Sequence, residues 1–384
     1  MSAPALLTLS LFTAAVPPPN DLGTRPVGVW TVWAAVSAGG GNVAFSPTGV
    51  RRTVAMLRPA VAGTAAGDLD HAFPDLEAVG PVPPDGPFSA LDAIWVRTGL
   101  PIRPTYRAAV ERIGGEVKSL PTADPTAAVN RWIEVGTAER VRGLFPPGAL
   151  DGAELVLVDA LSFRGTWPTP FRPTQTPIRF RTASGSVVTA PGMTITTTCR
   201  YAPPEADRPA AVELPYAAGL ALTVLLPPAG EEGPASLTES ELAAVRAALR
   251  PARVTVTLPP FSIRSRHNLL DPLAAAGAGA AVAAGADFSP LTPRPAGLTV
   301  GTLVQEAVVT VDEQGTSAAA ATGGAVVRFG RRDPPAAFTA DRPFLFVIAP
   351  VAAAPGGPAA ERPRPAAPLF LGRVADPTEP DDRD

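Results

Sequence analysis

Apolar segments of strand length recur through the second half of the chain and predict a protein rich in β-structure. Residues 254–258 alternate apolar and polar side chains, which is typical of a strand with one buried face. Residues 155–161 and 344–348 are almost continuously apolar, as strands in the middle of a sheet are. This pattern predicts strands at residues 155–163, 211–215, 220–226, 254–258, 307–311, 344–348 and 368–374.

Apolar residues at helical spacing occur mostly earlier in the chain. The Ser46–Pro47 pair suits the start of a helix, because proline fits the first helical position. Asp124 or Thr126 suits the cap of a later helix, since a side-chain oxygen can accept from an orphan backbone N–H. The predicted helices are residues 29–36, 48–57, 127–144, 237–249 and 267–276. Helices that come early and strands that come late favour a mixed α+β fold over repeated βαβ units.

Segments rich in proline and glycine interrupt these elements and predict surface loops. They lie at residues 17–20, 79–87, 227–234 and about 353–367, and the last is long enough to be a solvated insertion. The chain has neither an internal repeat nor a linker of domain size, so we expect residues 1–384 to form one domain. Residues 3–16 are apolar but too short to span a bilayer, and no charged residue precedes them. We therefore expect a first helix there rather than a secretory signal.

Composition narrows the classes of function. Apolar residues make up 46% of the chain and charged residues 17%, which allows a large core and is unlike a disordered chain. The net charge of −3 gives no strong attraction to nucleic acid or to an anionic membrane, and we expect neither as a partner. Lys118 is the only lysine beside many arginines. With abundant alanine, glycine and proline this is typical of a GC-rich genome, so we expect a bacterial source.

Cysteine usage leaves the compartment of the protein open. Cys199 is the only cysteine, so no intrachain disulfide can form, and we interpret it as a structural thiol. Without a clear signal peptide, we expect a cytoplasmic or non-classically secreted protein, with an extracellular location as the alternative.

Candidate catalytic and metal-binding residues are few. His71 lies in an Asp-rich loop and His267 at a predicted helix start, and neither has a second metal-type ligand at helical spacing. We therefore expect no metal and no cofactor, and surface or capping roles for both histidines. The chain also lacks a G-x-S-x-G elbow, a Walker loop and a dinucleotide fingerprint. A hydrolase with a dispersed Ser-His-Asp triad stays an alternative, because triad members are distant in sequence.

Short motifs spread over nearly the whole chain occur in a fixed order. They are NVAFSP at 42–47, NRWI at 130–133, FRGTW at 163–167, ELPY at 213–216, LPPF at 258–261, DRPFLF at 341–346 and LFLGRV at 369–374. No single motif is specific, but in this order they resemble the serpins, a family of serine protease inhibitors.

The resemblance implies an α+β serpin fold with three β-sheets, eight or nine helices and an exposed reactive-centre loop at about residues 313–337. It also implies suicide-substrate inhibition rather than enzyme activity. In that mechanism the attacked loop forms an acyl-enzyme, then inserts into the central sheet and drags the protease along. We expect a monomer whose partner is a serine protease in a covalent complex. Residues 65–87 are acidic, so a glycosaminoglycan site is not supported.

The segment that would act as the hinge of this loop has small, uncharged side chains. Gly315 allows unusual backbone angles, whereas a buried charge or a proline would stall insertion between strands. A short Ala-rich helix is the alternative interpretation, but glycines on both sides make it too short to persist. The hinge residues are Glu313, Gly315, Thr316, Ser317, Ala318, Ala319, Ala320, Ala321 and Thr322.

Two counts indicate the bond that a protease would attack. In the family this bond lies about sixteen residues after the hinge glutamate, which leads from Glu313 to Phe329. Counting back about nine residues from Phe338, which begins the F-x-x-D-R-P-F block, also leads to Phe329. We therefore expect cleavage at Phe329–Gly330 by a chymotrypsin-like or subtilisin-like protease. Arg328 is the alternative, and it would make the loop bait for a trypsin-like enzyme.

The residues expected to control opening of the central sheet depart from the family pattern. Serpins usually have Asn at the position of Asp159 and His at that of Gln305, and our hypothesis is that an Asp–Gln hydrogen bond replaces the Asn–His one. Gly49 stands where the Ser-Pro-x-Ser motif usually has its second serine. The expected shutter and breach residues are Ser46, Pro47, Asp159, Trp167 and Gln305.

The main alternative function is a non-inhibitory serpin, acting as a carrier, a chaperone or a simple protease substrate. The uncharged hinge favours inhibition, because non-inhibitory members often carry bulky or charged residues there.

Overall fold

The computed structural model describes residues 28–82, 86–205, 208–217, 219–228, 237–314, 334–351 and 368–379. The helices of these residues are α1 (Gly28–Val36), α2 (Pro47–Leu57), α3 (Gly63–Ala72), α4 (Pro104–Arg112), α5 (Pro125–Gly136), α6 (Glu239–Ala248), α7 (Leu270–Leu273) and α8 (Gly279–Val282). The last two are the ends of one helix, which is interrupted at Gly277, where φ is 90°. No helix in the described part of the chain is both long and apolar enough to cross a membrane.

The described strands form three sheets of nine, five and two strands. The strands are β1 (Val43–Phe45), β2 (Phe88–Arg97), β3 (Glu116–Leu120), β4 (Leu155–Phe163), β5 (Arg172–Pro173), β6 (Ile178–Arg181), β7 (Val187–Ala190), β8 (Met193–Ala202), β9 (Ala210–Pro215), β10 (Leu220–Leu226), β11 (Arg250–Leu258), β12 (Phe261–Asn268), β13 (Val300–Val311), β14 (Ala336–Thr339), β15 (Phe344–Pro350) and β16 (Phe370–Val374). The nine-stranded sheet has the order β1-β16-β15-β10-β9-β8-β11-β14, with β5 beside β8, and β6 pairs with β7. The central sheet has the order β12-β13-β4-β2-β3.

Strand β4, in the middle of the central sheet, is buried on both faces, which explains why it is apolar along almost its whole length. Leu155 and Leu157 pack in the same cluster as Val50 and Val54 of α2. Residues of the opposite parity, such as Val156, pack against α5 on the other face. Since side chains alternate along a strand, residue 159 lies on the α2 face.

The predicted strands all occur, and the mixed α+β fold is confirmed. Two helix predictions are wrong in part. The predicted helix 127–144 ends at Gly136, because Ala138 and Glu139 have left-handed backbone angles of φ 49° and 63°. The predicted helix 267–276 begins only at Leu270, because His267 and Asn268 end strand β12.

Several elements were not predicted from the sequence. Helix α3 occupies part of the acidic stretch 65–87, so His71 lies on a helix and not in a loop. Helix α4 and strands β2, β3, β8 and β12 were not predicted either. Strands β2 and β12 matter most for the site, because each contributes a polar side chain to the α2 face of the central sheet. The predicted loops at 17–20 and 353–367 lie outside the described residues, and most of 227–234 does as well.

Candidate functional site

The middle of the central sheet is the seam, which we define as the parallel pairing of β4 with β13. It runs from Val300 opposite Leu155 to Val309 opposite Phe163, with one irregularity between Val300 and Thr302. The two strands are direct neighbours over this length, so the seam is closed. A strand that entered here would have to part β4 from β13.

Four polar side chains form a row across the seam. Register pairs place His267 of β12 opposite Gln305 of β13, Gln305 opposite Asp159 of β4, and Asp159 opposite Asp92 of β2. Gln305 and Asp159 are fully buried, and Asp92 is 2% exposed. We call these four residues the polar row. Such a row in a buried sheet needs internal partners, because an unpaired buried polar group is costly.

Gln305 supplies partners across the seam. Its Nε2 donates to Asp159 Oδ2 at 2.8 Å and to the Ser46 carbonyl at 3.0 Å, and its Oε1 accepts from Ser46 N–H at 2.9 Å. The expected Asp159–Gln305 hydrogen bond is therefore present. Insertion of a strand between β4 and β13 would have to break it.

Ser46 joins this network to the start of helix α2. Its Oγ accepts from Gly49 N–H at 3.0 Å as the helix N-cap, and it donates to the Leu369 carbonyl at 2.6 Å. Pro47 occupies the first turn, where a missing N–H costs nothing. The cap thus connects the central sheet through Gln305 to the segment that leads into β16.

Gly49 lies directly against the polar row. A Cβ atom at this position would stand 2.2 Å from Asp159 Oδ2 and 2.7 Å from Gln305 Nε2. The second serine of the usual Ser-Pro-x-Ser motif would not fit here. The three departures from the family pattern, at Gly49, Asp159 and Gln305, therefore lie in contact with one another.

Arg52 of α2 extends the network to β2. Its guanidinium lies 2.5 Å from Asp92 Oδ2, and both side chains are buried. It also donates to the Gly80 and Ile113 carbonyls, which satisfies more of its N–H groups. Burial, and next the neighbouring Asp92, raises the pKa of Asp159 well above its usual value.

At the top of the seam, Trp167 fixes the residues that lead into the predicted hinge. Its Nε1 donates to the Asp312 carbonyl at 2.9 Å, and its ring stacks on Tyr216 with centroids 4.1 Å apart. The Phe171 N–H donates to the Glu313 carbonyl at 2.8 Å. Glu313 is therefore held where β13 ends.

The remaining predicted loop residues lie outside the described part of the chain. These are residues 315–322 of the hinge and Arg328, Phe329 and Gly330 around the predicted cleavage site. By topology, residues 315–333 join β13 of the central sheet to β14 of the nine-stranded sheet.

The structure groups the predicted site residues in two places. Ser46, Pro47, Asp159 and Gln305 meet at the polar row, whereas Trp167 lies with Glu313 at the top of the seam. Sequence reasoning missed three members of the network, which are Asp92, Arg52 and His267. The apolar-polar alternation in residues 261–264 could have indicated the start of β12, and an Asp within the apolar stretch 88–97 could have indicated a partnered core charge.

The surroundings of His267 and Cys199 indicate structural roles for both side chains. His267 Nε2 lies 2.8 Å from the Ala44 carbonyl, and burial lowers the pKa of its imidazole. Burial raises the pKa of the Cys199 thiol to about 11. Among the described residues no group of three or more His, Cys, Asp or Glu side chains is placed to hold a metal ion.

Comparisons with known proteins agree with this geometry. The family model described as Serpin (serine protease inhibitor) matches residues 33–377. Iripin-2 from Ixodes ricinus is 30% identical over 335 residues, covering 80% of this chain and 84% of the relative. Plasminogen activator inhibitor 1 from Sus scrofa is 30% identical over 337 residues, covering 80% and 83%. These relatives come from a tick and a mammal and give no support to a bacterial source.

Solved structures show the same fold at lower identity. Native protease nexin-1 with heparin superposes with a TM-score of 0.75 at 24% identity, covering 92% of this chain and 98% of that one. Uncleaved ovalbumin superposes with a TM-score of 0.74 at 20% identity, covering 92% and 100%. The family model matches most of the chain, and the fold agrees with it. The chain belongs to the serpin family.

Proposed function

We propose that this chain is a suicide-substrate inhibitor of serine proteases, which traps an acyl-enzyme by inserting its cleaved loop between β4 and β13. The observation that carries the proposal is the closed parallel seam, with Glu313 held directly at its upper end. A loop that follows β13 and folds back would enter the seam antiparallel to both neighbours. One parallel ladder would then be replaced by two antiparallel ones, which are more stable per residue.

The insertion can outweigh the contacts it breaks. Opening the seam removes the Asp159–Gln305 hydrogen bond, and leaving such buried groups unpaired costs about 1–3 kcal/mol. The inserted strand forms two ladders in place of the β4–β13 ladder, and each backbone hydrogen bond gained beyond those lost contributes about 0.5–1.5 kcal/mol net. A strand of several residues therefore exceeds the cost, provided that its side chains bury without penalty. The small, uncharged residues from Gly315 to Thr322 meet that condition.

The trapping step follows from the chemistry of serine proteases. The protease serine attacks the carbonyl of Phe329, the amine of Gly330 leaves, and an ester to the enzyme remains. Insertion then pulls the ester-linked enzyme away from its starting position. Displacement of about 1 Å can already cost about 100-fold in rate, so hydrolysis of the ester stalls. One monomer would consume one protease, without a cofactor.

The target class follows from the residue before the attacked bond. Phe329 suits the apolar pocket of a chymotrypsin-like or subtilisin-like protease, and Arg328 would instead suit a trypsin-like one. The test is incubation with each of the three protease types, followed by denaturing electrophoresis and mass spectrometry of the released peptide. We expect a covalent complex that survives denaturation, with cleavage at Phe329–Gly330. Cleavage without a complex would support the non-inhibitory alternative, and turnover of ester substrates would support a hydrolase.

Substitution in the hinge separates insertion from simple cleavage. Thr316→Arg would place a charge in the segment that enters the seam, where an unpaired buried charge is very costly. We expect this variant to be cleaved without forming complexes. Val187→Arg is the matched control, because Val187 is 50% exposed on β7, outside the central sheet, and it should inhibit normally. An unchanged yield of complex in Thr316→Arg would count against insertion.

A further inference from the structure

Two buried carboxyl groups face each other beside the seam. Asp92 and Asp159 are directly opposite in the antiparallel pair of β2 and β4, and their exposed fractions are 2% and 0%. Side chains in such a position have Cβ atoms about 4.5–5.5 Å apart. Two ionised carboxylates at this separation in a dry site repel strongly, and one of them takes up a proton.

In each carboxyl group of the pair, one oxygen has a hydrogen-bond donor and the other has none among the described residues. Asp92 Oδ2 pairs with Arg52, and Asp159 Oδ2 accepts from Gln305. Asp92 Oδ1 and Asp159 Oδ1 are both buried and have no donor among the described residues. Ionised carboxylates can only accept hydrogen bonds, so neither oxygen can satisfy the other. A single proton between them satisfies both.

The surroundings show which residue carries that proton. The positive charge of Arg52 on α2 lies against Asp92, whereas Asp159 meets the neutral Gln305 of β13 and the Gly49 backbone. The proton therefore belongs on Asp159, whose pKa burial and the neighbouring Asp92 raise.

Two other titratable groups lie near the Asp92–Asp159 pair without altering this balance. His267 on β12 is beyond Gln305, and burial lowers the pKa of its imidazole, which favours the neutral ring. Glu306, next to Gln305, points to the opposite face and pairs with Arg264.

We propose that Asp92 and Asp159 share one proton in the closed sheet, and that this proton is a latch whose loss favours opening of the seam. With the proton, a continuous chain of hydrogen bonds runs from β2 through Asp159 and Gln305 to Ser46. Without it, the row holds an uncompensated buried carboxylate, which gains solvation when β4 and β13 part and water enters. The role in inhibition rests on the proposed function, because an open seam matters only where a loop inserts.

The direction of the pH effect follows from proton counting. The closed sheet binds one more proton than the open sheet, in which the pKa of Asp159 returns towards its ordinary value. The closed form is therefore favoured fully below the ordinary pKa of an aspartate, and it loses that advantage as pH rises towards the raised value. Within this window the equilibrium constant for opening rises by up to about tenfold per pH unit.

Asp159→Asn gives a version of the row that cannot titrate. An Asn side chain has the same shape, its Nδ2 can donate to Asp92 Oδ1, and its Oδ1 can accept from Gln305. We expect the opening equilibrium of the variant to lack the extra pH dependence of the native protein. Asp70→Asn is the control, because Asp70 is a 56% exposed partner of Arg58 on the surface, and it should behave as the native protein does.

Two measurements test the latch. The first is infrared difference spectroscopy of the native protein against Asp159→Asn at neutral pH, where the native protein should show the carbonyl band of one protonated carboxylic acid. The second is hydrogen exchange of β4 and β13 peptides over a series of pH values on both sides of neutrality. The ratio of native to Asp159→Asn opening should rise with pH, by up to about tenfold per unit.

The outcomes distinguish the latch from the proposed function. Absence of the protonated band, or an exchange ratio that is flat with pH, would overturn the latch. A pH titration of the band in the native protein decides the question if Asp159→Asn does not fold. If the band is present but proteases give no covalent complex, the latch stands and the inhibitor proposal fails. If covalent complexes form but the band is absent, the inhibitor proposal stands and the latch fails.

Discussion

Gly49→Ala tests whether the start of helix α2 and the polar row are fitted to each other. The added Cβ would lie 2.2 Å from Asp159 Oδ2, 2.5 Å from Leu161 Cδ1 and 2.7 Å from Gln305 Nε2. Neither polar atom is the free end of a mobile side chain, because Gln305 Nε2 donates to Asp159 Oδ2. The helix or the row must shift, and a shift of the row separates the groups that hold the seam.

The change in the free energy of unfolding of Gly49→Ala is the sum of two opposed effects. Replacing a glycine inside a helix with alanine gains about 1 kcal/mol of helix stability. Overpacking a well-filled core costs typically about 1–3 kcal/mol. Gly67→Ala in α3 isolates the first effect, since nothing lies within 4 Å of a Cβ there and φ is not positive. The difference in free energy of unfolding between the two variants is therefore the overpacking cost, about 1–3 kcal/mol.

Urea unfolding followed by far-UV circular dichroism measures this difference. We expect Gly67→Ala to unfold at a urea concentration equal to or above that of the native protein, and Gly49→Ala at a lower one. The slope of the transition should be unchanged, because both variants expose the same surface on unfolding. Equal midpoints for the two variants would refute the close fit of Gly49 against Asp159 and Gln305.

Two further substitutions probe the top of the seam and the Arg52 end of the network. Trp167→Phe removes the donor to the Asp312 carbonyl and should lower the free energy of unfolding by about 1 kcal/mol. It should also speed complex formation with a protease, and a slower reaction would show that this bond does not restrain the hinge. Arg52→Met leaves the buried Asp92 uncompensated and should cost about 3–5 kcal/mol, whereas Arg58→Met breaks an exposed pair with Asp70 and should cost less than about 1 kcal/mol. Equal losses in urea unfolding would contradict the buried role of Arg52.

The sequence was a good guide to elements with a strong local signal. Continuous apolar character predicted β4 and β15, and the Ser46–Pro47 pair predicted the start of α2. The Asp159–Gln305 contact was also predicted, but from the family pattern rather than from spacing, since 146 residues separate the two. Local pattern alone cannot bring together residues so far apart.

The errors occurred where tertiary structure decided the outcome. His267 was assigned to a helix because the apolar residues after it have helical spacing, but pairing with β13 holds it in a strand. Asp92 and Arg52 carry no motif, and their importance appears only once β2 lies beside β4 and α2 lies over both. The predicted helix that ends at Gly136 was too long, because the backbone turn at Ala138 and Glu139 has no glycine to mark it.

Two hydrogen bonds restrain the seam, Trp167–Asp312 at its top and Asp159–Gln305 in the polar row. They would act at different stages of insertion. Gln305 and Asp312 are seven residues apart along the chain, which is roughly 23 Å in an extended strand. A loop that enters from Glu313 breaks the Trp167–Asp312 bond first and reaches the Asp159–Gln305 bond only after several residues have inserted. By then the new strand already has backbone hydrogen bonds that offset the loss. A spontaneous opening has no such compensation and must break the polar row unaided. Substitutions in the row should therefore change the spontaneous loss of the closed form more than the rate at which a cleaved loop traps a protease.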